Sequence, residues 1–90
     1  MLALPESITQ ASALACLETL SKALTQEVGS DVVLDAAHLT RFDSAALAVL
    51  LELRRQVLKM GKQFALKDVP QRLQDLASLY GIAELLPSRA

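Results

Sequence analysis

Asp43 and Ser44 place an acid beside a hydroxyl in RFDSAALAVLLELRR, Arg41 to Arg55, where a loop gives way to a strongly apolar helical run. Two chemistries fit the pair. Either side chain can cap the helix by accepting a free backbone N–H, which contributes about 1 kcal/mol, and an acid suits the positive end of the helix dipole. The hydroxyl is also suited to carry a phosphate, because the free N–H groups and the dipole would receive the added charge. The other reactive types are isolated. His38 and Cys16 are each single, and the three glycines are not clustered. A lone cysteine reads as a small buried hydrophobe in a reducing compartment. No metal set and no phosphate-cradling loop can be assembled from these residues. A Ser44, His38 and Asp35 set can be spelled, but nothing in its spacing supports it. The expectation is a binding module with no catalytic residues and no cofactor, not an enzyme.

The bulk properties agree. A chain of 90 residues suits one domain, 1–90. Hydrophobic residues reach 52% against 21% charged, which excludes a disordered chain. Aromatics are 3%, so Leu, Val, Ala and Ile must fill the core. A net charge of -1 argues against a nucleic-acid partner held through phosphates. Pro5 and Glu6 interrupt any signal peptide, and the apolar run Ala45 to Leu51 is far short of the ~20 residues of a membrane span. The chain is expected to be cytoplasmic, without direct membrane insertion, any membrane association coming through a partner.

Three extended segments alternate with three helical ones. Leu2 to Leu4 reads as a strand cut by Pro5. From Gln10 the pattern is helical, with Ala13, Leu17, Leu20, Leu24 and Val28 on one face, Ser7 or Thr9 as cap and Gly29 as stop. Val32, Val33 and Leu34 form a continuous apolar run, which reads as a strand buried on both faces. The long helix opens at Asp43–Ser44 and closes near Met60, with Gly61 ending it. QFALKDV is the next strand, with Phe64 and Leu66 on one side. Asp68 then serves as N-cap and Pro70 as the first turn of a helix whose stripe is Leu73, Leu76, Ala77 and Tyr80. Gly81 ends that helix, Ile82 folds back on it, and Leu85 and Leu86 close the core. The order β-α-β-α-β-α predicts an α/β fold with a mostly parallel sheet and helices packed on it.

The long helix carries more apolar residues than one face requires. With Ser44 at zero and about 100° per residue, Ala46, Leu50, Leu53, Val57 and Met60 cluster near ~200° and face the sheet. Leu47, Leu51 and Leu58 fall near ~300–340°, with Ser44, Ala48 and Arg55 beside them at roughly 0–40°. Two readings compete for this second stripe: packing against the first helix, or a partner surface at its N-terminal end. Glu52, Arg54, Arg55 and Lys59 read more simply as a solvated flank.

The segment from Val32 to Ile82 resembles the STAS domain family. Its signature is a strand ending in an acid, a short loop, then Asp-Ser/Thr-x-Gly-Leu opening a helix. Asp35, Leu39, Asp43, Ser44 and Leu47 stand in those places, with Ala46 where the family usually has glycine. LASLYGIAELLP and LALPESIT extend the resemblance over roughly Leu2 to Pro87 and bring it closest to the MlaB-like branch, the small STAS subunit of a phospholipid-transport ABC system of Gram-negative bacteria. The resemblance implies a STAS-like fold, from which the chain departs in one respect: family members usually carry a further strand before the LAL segment, and its expected absence here leaves one sheet edge exposed or covered by a partner or a second copy. It implies a non-enzymatic subunit that binds the transporter's ATPase and, through it, the inner-membrane permease. Asp43, Ser44, Leu47, Ala48, Leu51 and Arg55 would form the partner surface. The rival within the family is an anti-sigma-factor antagonist switched by phosphorylation of Ser44. A stand-alone acyl- or nucleotide-binding domain is the third class, with no ligand-specific residue to support it.

Overall fold

The computed structural model describes residues 1–89. Its elements are β1 (Leu2–Ala3), β2 (Ser7–Ile8), α1 (Ala13–Leu24), β3 (Asp31–Asp35), β4 (Arg41–Phe42), α2 (Ser44–Lys59), β5 (Gln63–Lys67), α3 (Gln71–Leu79), a single 3-10 turn (Ala83–Leu85) and β6 (Ser88–Arg89). Strands β1-β3-β5-β6 form one parallel sheet in that order. A sheet that advances in one direction through right-handed crossovers carries all its helices on one face. The expected α/β architecture with a parallel sheet is therefore present.

That topology corrects the reading of β3 as buried on both faces. Val32 and Leu34 of β3, with Phe64 and Leu66 of β5, point into the core beneath the helices. Val33 is only half-buried and lies outside that core, and its register partner Ala65, though buried, does not pack into the cluster either. A two-layer fold leaves the far face of the sheet to solvent, and β-branched residues suit an exposed pleat as well as a buried one.

Helix ends follow local chemistry. α2 covers the expected span, but Met60, assigned to its sheet-facing stripe, is the C-cap beyond the last turn and is exposed. Gly61 takes φ +76, its N–H donates to the Leu58 carbonyl at 3.0 Å, and the Lys62 N–H donates to that of Val57 at 3.2 Å. This double closure needs a left-handed residue, which glycine supplies without steric cost. α3 ends in the same way, and the Ile82 N–H returns to the Ala77 carbonyl at 2.9 Å. α1 departs from expectation at both ends. It starts at Ala13 instead of near Gln10, and Ser7 belongs to β2 instead of a cap. It stops at Leu24, where the Thr25 hydroxyl donates to the Lys22 carbonyl at 2.7 Å, so Val28 lies beyond it and is exposed. Asp68 is not a cap either. It sits at φ +54 in the turn after β5, and Pro70 occupies the cap position of α3 without a side-chain bond. In the stripe assigned to α3, Leu73 and Ala77 are buried and Leu76 is half-buried, but Tyr80 is exposed. Leu86 closes the core and Leu85 does not.

Candidate functional site

A second ladder, too short for any periodicity to announce, sets the position of the Asp43–Ser44 pair. β2 and β4 pair in parallel, Ser7 with Arg41 and Ile8 with Phe42. The Glu6 carbonyl accepts from the Thr40 N–H at 2.9 Å and the Arg41 N–H at 3.1 Å. Fully buried Ile8 and Leu39 pin this crossing to the core. The start of α2 is thus held by the segment that precedes α1.

Asp43 completes the clamp and answers the capping question. Its backbone is extended, at φ -131 and ψ -167, as an N-cap requires. One carboxylate oxygen accepts from the Ala45 N–H at 2.9 Å. The other accepts from the Gln10 N–H at 3.0 Å, tying α2 to the approach to α1. Both oxygens are therefore engaged. Ser44 is the first helical residue, exposed, and its hydroxyl makes no hydrogen bond among the described residues. Asp43 caps and Ser44 is left accessible. Asp43→Ala should lower stability by about 1–2 kcal/mol, the range for a lost N-cap, measured by urea denaturation. A loss below about 0.5 kcal/mol would show that neither bond matters.

The remaining candidates divide. Ser44, Ala48, Leu51 and Arg55 share one edge of α2, Leu51 half-buried and the other three exposed. Leu47 does not join them. It is 4% exposed and belongs to the core, so it is unavailable as a contact residue. The reading of the second stripe as the seam with α1 is also corrected. α1 meets α2 on the other side, where Ala13, Leu14 and Leu17 share a groove with Ala45, Ala48 and Val49. Half-buried Ala45 is small enough to let the helices approach there, and exposed Ala48 borders the groove at its solvent side. Leu58, near the far end of α2, is exposed.

Arg55 is committed within its own helix. Its guanidinium donates to both carboxylate oxygens of Glu52, at 2.9 and 2.8 Å from Nε, and forms an ion pair at 2.7 Å. Hydrogen bonding to Arg55 holds the Glu52 carboxyl below its ordinary range, and the same bond raises the guanidinium further. Asp35 is engaged locally, accepting from the Ala37 N–H at 3.0 Å, and no described hydrogen bond links it with His38 or Ser44.

A feature that spacing did not reveal is the groove on the α3 side of Ser44. Phe42, Asp43 and Ser44 form one wall, and Arg72, Asp75, Leu76, Leu79 and Tyr80 the other. The Arg72 guanidinium lies 5.0 Å above the Phe42 ring, a cation–π contact. Cys16, half-buried, lines a separate apolar groove with Leu4, Pro5 and Leu20. Burial pushes its thiol up. Since only the thiolate reacts, iodoacetamide at pH 8 should alkylate Cys16 more slowly than free cysteine, as read by mass spectrometry. A rate equal to that of free cysteine contradicts this.

Among the described residues no helix is long and apolar enough to cross a membrane, and no group of three or more His, Cys, Asp or Glu side chains converges. A family model described as "Mlab, STAS domain" matches residues 1–87. No curated protein matches the chain.

Proposed function

We propose, from the premise that the chain belongs to the STAS domain family, of the MlaB-like kind named by the matching family model, that it is the non-enzymatic STAS subunit of an ABC transporter for phospholipids. In this reading it binds the ATPase subunit at the cytoplasmic side of the inner membrane, contacts the permease only through that subunit, and supports the complex's assembly or activity. ATP, Mg²⁺ and lipid are handled by the other subunits.

The observation that carries the reading is the division of labour at the start of α2. Asp43 satisfies the helix end with both carboxylate oxygens, and Ser44 stands exposed with an unbonded hydroxyl beside exposed Ala48. A hydroxyl not consumed by capping can exchange its water for a bond across an interface at little cost. A small neighbour such as Ala48 lets the partner's backbone come close. Leu51 and Arg55 extend the same edge, and Leu47 acts behind it as a core residue.

Co-purification of the intact chain with the transporter ATPase tests the reading. A stable complex of the two supports it. A chain that ignores the ATPase but is phosphorylated on Ser44 by a partner kinase is a sigma-regulator antagonist instead.

A further inference from the structure

We infer that the partner that reads Ser44 also grips the C-terminal end of α3, seating apolar side chains against Leu79 and Tyr80 and presenting a carboxylate to Arg72. The inference rests on the reading of Ser44 as a docking residue and extends it to a second helix.

Three observations carry it. The groove is continuous with Ser44, which forms one wall while Leu79 and Tyr80 form the other, so a chain bonded to the hydroxyl lies against both. Leu79 is 80% exposed and Tyr80 58% exposed, although Leu73 and Ala77 already supply the buried side of α3. Scattered exposed leucines are ordinary, but adjacent large side chains lining one groove form a patch, and tyrosine is enriched among residues that dominate binding. The charges then select the partner's chemistry. Asp75 accepts from the Gln71 side-chain amide at 2.9 Å and Asp43 from two backbone N–H groups, so both acids keep their charge but are turned to donors within the chain, and Arg72 is the cation of the groove lining. Arg72 has no carboxylate within ion-pair distance among the described residues, and its guanidinium is held over Phe42 at the groove wall. A preorganised, unpaired guanidinium beside apolar side chains complements an acidic residue flanked by apolar ones.

The test measures affinity for the purified ATPase subunit with Leu79→Lys, Arg72→Glu, Ala48→Arg and, as control, Leu58→Lys at the distal end of α2. All four positions are exposed, so melting temperatures should stay near wild type. Leu79→Lys and Arg72→Glu should each weaken binding at least about tenfold, and Leu58→Lys should not. If Ala48→Arg abolishes binding while Leu79→Lys and Arg72→Glu bind normally, the α3 contact is refuted and the Ser44 reading stands. If Ala48→Arg binds normally, that reading falls and takes this inference with it. If Leu79→Lys instead abolishes self-association, without effect on the ATPase, a second copy covers the groove and the inference is overturned.

Discussion

Leu50→Ala should cost about 2–5 kcal/mol of folding stability, the range for a leucine truncated in a core that cannot collapse around the loss. Leu50 is fully buried, on the face of α2 that also buries Ala46, Leu53 and Val57. That face lies over β5, whose Phe64 and Leu66 rise into the same core. With aromatics at 3%, large rings are scarce, and aliphatic side chains carry most of the packing. A domain this small has about 5–15 kcal/mol in total, so one truncation removes a large share. The melting temperature should fall by about 10 °C or more. Leu58→Ala, on the same helix but 46% exposed, is the internal comparison and should stay within about 0.5 kcal/mol. A loss below about 1 kcal/mol for Leu50→Ala would mean that α2 presents a different face to the sheet.

The legible parts of the fold are those where one local requirement dominates. α2 has a repeating apolar face long enough to establish its orientation and an obligatory left-handed residue, Gly61, at its end, so its limits and most of its buried side could be read, Met60 just past the last turn being the exception. The misread parts depend on residues distant in sequence. β2, β4 and β6 have two residues each, too few for alternation to register, and exist because a neighbouring strand offers hydrogen bonds. Val33 looks like Val32 and Leu34 in sequence; only the one-sided placement of the helices leaves it half-exposed. Leu47 and Tyr80 fail in opposite directions for the same reason. Each lies at the margin of an apolar stripe, and the neighbouring element decides whether a marginal position is covered. At the candidate site, Asp43 and Ser44 were legible as a pair. The division between them was not, because it depends on Gln10, brought alongside by the β2–β4 ladder. The α3 wall of the groove was hidden by periodicity itself, since Tyr80 continues the stripe of Leu73, Leu76 and Ala77 and so looks like a core residue, although it is exposed.

Ala48→Arg and Ser44→Glu should each abolish co-purification with the transporter ATPase while leaving the free chain folded. The two substitutions act by different physics. Ala48 is exposed beside the α1 groove, so a free arginine there extends into water and costs the fold little. Against a docked partner, the same side chain occupies the volume that the small residue leaves for close approach. Ser44→Glu adds little bulk but places a charge where a docked partner excludes water, and an unpaired buried charge costs several kcal/mol. In the free chain that carboxylate sits at the first position of α2, where the helix dipole favours it. Melting temperatures should therefore remain near wild type for both variants, while the complex loses at least about a hundredfold in affinity, roughly 2.7 kcal/mol. Ser44→Ala separates the hydroxyl from the surface around it. It removes one potential hydrogen bond without adding charge or bulk, so it should weaken the complex by about tenfold or less, near the net worth of a single bond. If Ala48→Arg and Ser44→Glu both bind as wild type, the ATPase does not dock on this edge of α2. If Ser44→Ala loses as much as Ser44→Glu, the hydroxyl itself, not the close fit of the surface around it, dominates recognition.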